Sequence, residues 1–135
     1  MKKYFLAILV VAGISAGCAS TPPLPDPTWA EVEAADFGQR PSNVTGIYKS
    51  MLEATYQFKD PESLKTRNVV MYKHWRVYEG EWLYGYLICG QYDAKNGFGG
   101  YNGYEHAGFF YRNGLQYTGN VAYECNPKNR YKFRV

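Results

Sequence analysis

Two histidines and three cysteines are all that the 135 residues offer toward imidazole, thiol or metal chemistry. His74 and His106 share no ligand spacing and few carboxylates flank them, so neither a metal nor another cofactor is expected. The Lys-Ser/Thr pair of a phosphate-cradling loop is missing, and the glycine-rich stretch at 96–108 runs into strand-like "EHAGFFY" instead of a helix start. Excess charge is also lacking. The formal net charge of +3 includes Lys2 and Lys3, and without them thirteen basic residues face twelve acidic ones. That balance gives no field to gather nucleic acid, which is excluded as a partner. Only the tail, with Lys128, Arg130, Lys132 and Arg134, is locally basic, as the solvated face of a strand would be. After residue 14 no apolar run is long enough to cross a bilayer.

Aromatic residues, by contrast, make up 18% of the chain, fourteen of them tyrosines. Tyrosine joins an apolar body to a polar tip and suits a partly wet sheet. Thr28 and Glu31 have capping-box spacing, which predicts a short helix ending near Gly38. Residues 43–59 carry the helical period through Val44, Ile47, Tyr48, Met51, Leu52 and Thr55, and Asp60-Pro61 stops it, with Asp60 capping a brief turn. From Lys65 the period becomes two: 67–79 and 81–92 read as strands joined near Glu79-Gly80, and 106–112 as a third before Asn113-Gly114. Residues 115–125 alternate as a fourth, placing Cys125 among apolar residues, and 130–135 repeat the pattern with Tyr131, Phe133 and Val135 inward. The expected fold class is α+β: an antiparallel sheet of four to five strands packed against one main helix, with a short N-terminal helix.

The start of the chain combines a charged "MKK", the apolar "YFLAILVVAGI", the small residues "SAG" and then Cys18. That order resembles the signal sequence of a bacterial lipoprotein. It departs from the usual pattern at Ser15, where Leu is common. The resemblance implies cleavage before Cys18, diacylglycerol on its sulfur and a further acyl chain, such as palmitate, on its amino group. One chain alone holds a protein to a membrane only marginally, each buried methylene contributing ~0.8 kcal/mol. Ala19 in the next position implies sorting to the outer membrane, with the domain facing the periplasm. Cleavage after Ala19, which discards Cys18, is the alternative. The resulting organisation is 1–17 signal peptide, 18–28 proline-rich tether and 29–135 α+β domain. At ~3.1 Å per residue, ten extended tether residues reach up to about 30 Å. With Cys18 given to lipid, Cys89 and Cys125 are an even pair in an oxidising compartment, and a disulfide is expected over two free thiols.

A second resemblance covers roughly residues 36–117, on "ADFGQRP", "DPES" and "CGQYDAKNGFGGYNG". These are similar to motifs of a small, uncharacterised family of bacterial envelope proteins, with Asp93 where that family usually has Asn. No reaction comes with the likeness. Asn96, Tyr101, Asn102, Tyr104 and His106 would surround exposed backbone if the glycine-rich loop binds a ligand; the alternative is a structural connection needing positive φ at Gly97, Gly99, Gly100 and Gly103. Cys89, His106 and Asp93 could compose a cysteine nucleophile only if Cys89 were unpaired. Trp82, Tyr84, Tyr86 and Ile88 alternate with Leu83, Leu87 and Cys89, so β-structure here is apolar on both faces. Either both faces are covered, or one is an aromatic platform, with Trp75 and Tyr72 nearby, fit for glycan. The leading expectation is a non-catalytic interaction or scaffolding module of the cell envelope. Its partners would be the membrane, through lipid, and other envelope proteins or peptidoglycan. A peptidoglycan binder using Trp82, Tyr101 and Tyr104 is the alternative, followed by a hydrolase or an enzyme inhibitor.

Overall fold

The computed structural model describes residues 17–129 other than 19 and 21, together with 133 and 134. The signal segment 1–16 and the inward side chains expected at Tyr131, Phe133 and Val135 lie outside the described residues. Helices α1 (Trp29–Ala34) and α2 (Val44–Thr55) precede strands β1 (Lys65–Tyr78), β2 (Glu81–Asp93), β3 (Glu105–Arg112), β4 (Leu115–Gln116) and β5 (Phe133–Arg134). All neighbours are antiparallel, in the order β4-β3-β2-β1-β5. The α+β architecture expected from the sequence is therefore present.

Local chemistry explains most boundaries. Thr28 and Glu31 form the capping box that starts α1. The helix stops at Ala34, short of Gly38, because Asp36 turns the chain: its Oδ1 accepts the Gly38 N–H at 2.8 Å, and Phe37 drops into the core. Asn43 caps α2 through the Gly46 N–H, and Tyr48, Met51 and Leu52 form its buried face. This helix ends at Thr55, four residues before the expected limit. Tyr56 is extended, and Tyr56 and Phe58 pack their rings on Tyr92, with centroids 5.5 and 5.9 Å away. Asp60 does cap a brief turn at Pro61–Ser63, but through its backbone oxygen rather than its carboxylate. The β1–β2 connection is a two-residue turn, Glu79-Gly80, with φ of 52° and 83°. Asn113-Gly114 turns β3 into β4 with the same signs.

β2 lies at the centre and is buried on both faces. On one face Ile88 stands between Met71 and Phe109, beneath α2. Gly90 leaves room for the Tyr48 ring, whose hydroxyl donates to the Ala107 carbonyl at 3.2 Å. The hairpin end of the same face is covered by the N-terminal arm. Trp82 Nε1 donates to the Pro25 carbonyl at 2.9 Å, and the Phe37 ring meets Tyr84 edge-on at 5.6 Å. Arg112 clamps the arm, donating to the Tyr84 carbonyl at 2.8 Å and to Asp36 Oδ2 at 3.1 Å. The segment expected as the tether, 18–28, thus meets the sheet at Pro25.

The opposite face carries Tyr72, Leu87 and Cys89 under Val121 and Cys125. Cys89 and Cys125 are joined as the expected disulfide, closing a separation of 36 residues. In the chain-entropy account such a closure stabilises the fold by about 3–4 kcal/mol.

The fourth strand expected over 115–125 is a correction. β4 ends at Gln116. Beyond it, two backbone bonds to β3 persist, from the Tyr117 N–H to the Phe110 carbonyl at 3.0 Å and from the Val121 N–H to the Gly108 carbonyl at 2.8 Å. Side chains, however, take the β3 donors: Thr118 Oγ1 accepts the Phe110 N–H at 3.1 Å, and Asn120 Oδ1 accepts the Gly108 N–H, and that of Ala122, at 3.0 Å each. Thr and Asn compete with backbone pairing in this way. The segment wraps the β3 edge, and Ala122–Cys125 becomes a short 3-10 turn under the sheet. Leu115 and Tyr123, which alternation puts on one face with Cys125, are 60% and 63% exposed.

Gly108 sits where this turn crosses β3, and a Cβ there would collide with Cys125 Sγ. Gly108→Ala is expected to destabilise the domain by about 1–3 kcal/mol, the usual range for overpacking. Urea unfolding against the parent checks this. Equal midpoints would mean that the turn does not press on β3.

Candidate functional site

The motifs singled out by the sequence converge at the end of β2 remote from its hairpin. Lys95 and Tyr101 form an isolated antiparallel bridge, closing a small loop over 95–101. Asn96 organises it. Its Oδ1 accepts N–H bonds from Phe98 at 2.9 Å and Gly100 at 3.2 Å, and its Nδ2 donates to Asn102 Oδ1 at 3.0 Å. Phe98 at the tip is 100% exposed. The "DPES" turn packs against the loop: Ser63 Oγ accepts the Lys95 N–H at 2.8 Å, and the Tyr101 hydroxyl donates to the Ser63 carbonyl at 2.9 Å. Of the four glycines expected at positive φ, Gly99 and Gly103 have it, at 81° and 107°; Gly97 and Gly100 do not.

Cations cover the tyrosines. The Lys65 ammonium lies 3.8 Å from the Tyr101 ring centre, and the Arg67 guanidinium 3.7 Å from that of Tyr104. Arg67 also donates from Nε to Gln91 Oε1 at 2.9 Å, and Gln91 Nε2 lies 3.1 Å from His106 Nε2. Asn96, Tyr101 and Asn102 therefore form one hydrogen-bonded unit with Ser63. Tyr104 and His106 belong to a neighbouring unit around Arg67 and Gln91. Ser63, Lys65, Arg67 and Gln91 were missed by sequence reasoning. The β1–β2 register, with Lys65 opposite Asp93 and Arg67 opposite Gln91, brings in Lys65, Arg67 and Gln91, and the packing of the Pro61–Ser63 turn on the loop brings in Ser63.

Trp82 is not part of this site. It lies at the hairpin end of β2, roughly 35 Å of strand from the loop at ~3.3 Å per residue. It is half-buried under the arm. Tyr72 and Trp75 point to opposite faces, each within a buried cluster. The open aromatic platform is thus overturned: the sheet is covered twice, because α2 and the arm take one face and the C-terminal turn the other. A cysteine nucleophile is overturned as well. Cys89 is in the disulfide, His106 faces Gln91, and Asp93 Oδ2 accepts the Gly103 N–H at 3.2 Å.

A separate polar cluster lies beneath the disulfide-bearing face. Buried His74 Nε2 is 2.8 Å from Glu124 Oε2, while Arg76 Nη1 and the Tyr123 hydroxyl reach Glu124 Oε1 at 2.9 and 3.0 Å. Burial pushes the Glu124 carboxyl up, but His74 hydrogen bonding and the Arg76 charge outweigh it and hold the group below its ordinary 4.5. No local pattern marks this cluster, since residues 74 and 124 meet only through the turn at Ala122–Cys125.

Two outcomes follow from these contacts. Asn96→Ala removes three side-chain bonds; amide exchange at Phe98 and Gly100 is expected to accelerate, with a global loss of only about 1–2 kcal/mol. Unchanged exchange would mean that backbone pairing alone holds the loop. For Glu124, a folded pKa below the unfolded one adds stability above the ordinary value of 4.5, lost as pH falls through the folded pKa. Glu124→Gln should lower the unfolding midpoint at neutral pH and flatten its decline in acid, measured by thermal melts across that window.

Comparison with protein families, curated proteins and solved structures finds no match to the chain, so the functional reading rests on its own residues.

Proposed function

We propose that this chain is an outer-membrane-anchored periplasmic lipoprotein, and that its α+β domain is a non-catalytic interaction or scaffolding module. The observation that carries this reading is the division of the three cysteines. Cys89 and Cys125 are joined inside the domain, while Cys18 is free and exposed beyond an extended, proline-rich arm. A stable disulfide suits an oxidising compartment. An exposed cysteine directly after small residues, ahead of four prolines, suits acylation followed by a spacer.

The domain's features fit passive work. Its polar side chains at the glycine-rich loop bond to one another and to backbone instead of presenting an acid and a base to a common point. What the loop offers outward is a fully exposed Phe98 on a backbone held by Asn96, with the cation-covered rings of Tyr101 and Tyr104 in the same stretch of chain, a surface suited to contact.

Replacing the proposed acylated sulfur tests the anchor. Cys18→Ala is expected to move the protein from the membrane pellet to the soluble envelope fraction, and the parent's intact mass should carry acyl chains. A variant that still sediments with membranes in high salt, or a parent without acyl mass, overturns the reading.

A further inference from the structure

A cleft of about 230 Å³ opens beside the loop, between the segment after α2 and the end of β2. That volume is below the range of roughly 300–1,000 Å³ typical for drug-sized ligands, which points to a small guest. Its lining has two aromatic rings, Phe58 and Tyr92, two lysines, Lys59 and Lys95, and two carboxylates, Asp93 and Glu105.

Asp93 is the unusual member. It is only 7% exposed, yet among the described residues its one partner is the Gly103 N–H, on Oδ2 at 3.2 Å. A carboxylate removed from water ordinarily has several donors or a cation. The register places Lys65 opposite it, but that ammonium lies over the Tyr101 ring instead. Lys59, Lys95 and Glu105 also make no ion pair among the described residues; Glu105 accepts the Tyr92 hydroxyl on Oε2 at 3.0 Å, leaving Oε1. Lys59 and Glu105 are exposed at the rim, and the Lys95 ammonium lies 6.0 Å from the Tyr101 ring centre, so the cleft is bordered by two cations and two carboxylates that form no ion pair with one another among the described residues.

Electrostatics then selects the guest. A lone anion would meet Asp93 and Glu105, and a lone cation would meet both lysines. A small net-neutral ligand bearing both charges satisfies all four. We propose that this cleft binds a zwitterionic amino-acid group, its ammonium on Asp93 and Glu105 and its carboxylate on Lys59 and Lys95. A free amino acid and a compound with the two termini of a very short peptide share this chemistry. The site stands whether or not Cys18 is acylated, so failure of anchoring and failure of binding are read separately.

The test is titration of the full chain by nuclear magnetic resonance, following the amides of Asp93, Gly103 and Glu105. Alanine and dialanine are the probes, with N-acetylalanine and alaninamide as single-charge analogues. Saturable shifts with a zwitterion, at least about tenfold weaker with either analogue, support the proposal, that factor being what one charge-assisted hydrogen bond commonly provides. The tighter of alanine and dialanine identifies which source fits. No shift with either zwitterion, or analogues binding equally well, overturns it. Asp93→Asn, which keeps an acceptor for the Gly103 N–H, should also weaken binding at least about tenfold. Parent-like affinity in that variant overturns the role of the buried charge. If the variant does not fold, the analogue series on the parent chain still decides.

Discussion

The rest of the structure depends on one constraint: β2 is apolar on both sides and so requires two covers. Leu87, Ile88 and Phe110 are wholly buried, and no single helix can seal both surfaces of the sheet that holds them. α2 and the arm seal one. The other is sealed by residues 121–125, a stretch too short to form a stable layer unaided. The disulfide supplies what that stretch lacks, tying it to the middle of β2 at the residue paired with Gly108. The odd features around it follow from this second cover, including the Gly108 crossing, the side-chain ladder of Thr118 and Asn120, and the enclosed Glu124.

Much of this was legible beforehand. The capping box at Thr28, the period of α2 and the turn at Asn113-Gly114 are local signals that need no knowledge of the rest of the chain. Residues 115–125 misled because alternation reports which residues are apolar, not what the backbone bonds to. Thr118 and Asn120 occupy donors that a strand would have used. The loop was visible as glycines and asparagines, and its members were named. Their partners were not, because Ser63, Lys65, Arg67 and Gln91 reach it only through strand register and packing.

The loop and the cleft beside it divide their labour by how well their polar groups are matched. Asn96 uses both ends of its amide within the loop, and Tyr101 uses its hydroxyl on Ser63. Such saturation gives rigidity and little appetite for a small ligand. Asp93, a few residues away, is buried with a single donor. The same turn of chain thus pairs a stiff frame with an unsatisfied group, an arrangement that preorganises a site without closing it.

The docking of the arm has a mechanical consequence. Pro25 is held by Trp82, and Asp36 by Arg112, so the leading segment leaves the body at the hairpin end of β2, opposite the glycine-rich tip. Tension applied at residue 18 would align the long strand with the pull. Were Cys18 anchored as proposed, the domain would stand upright, its base toward the membrane and its crown of Phe98 projecting away from it.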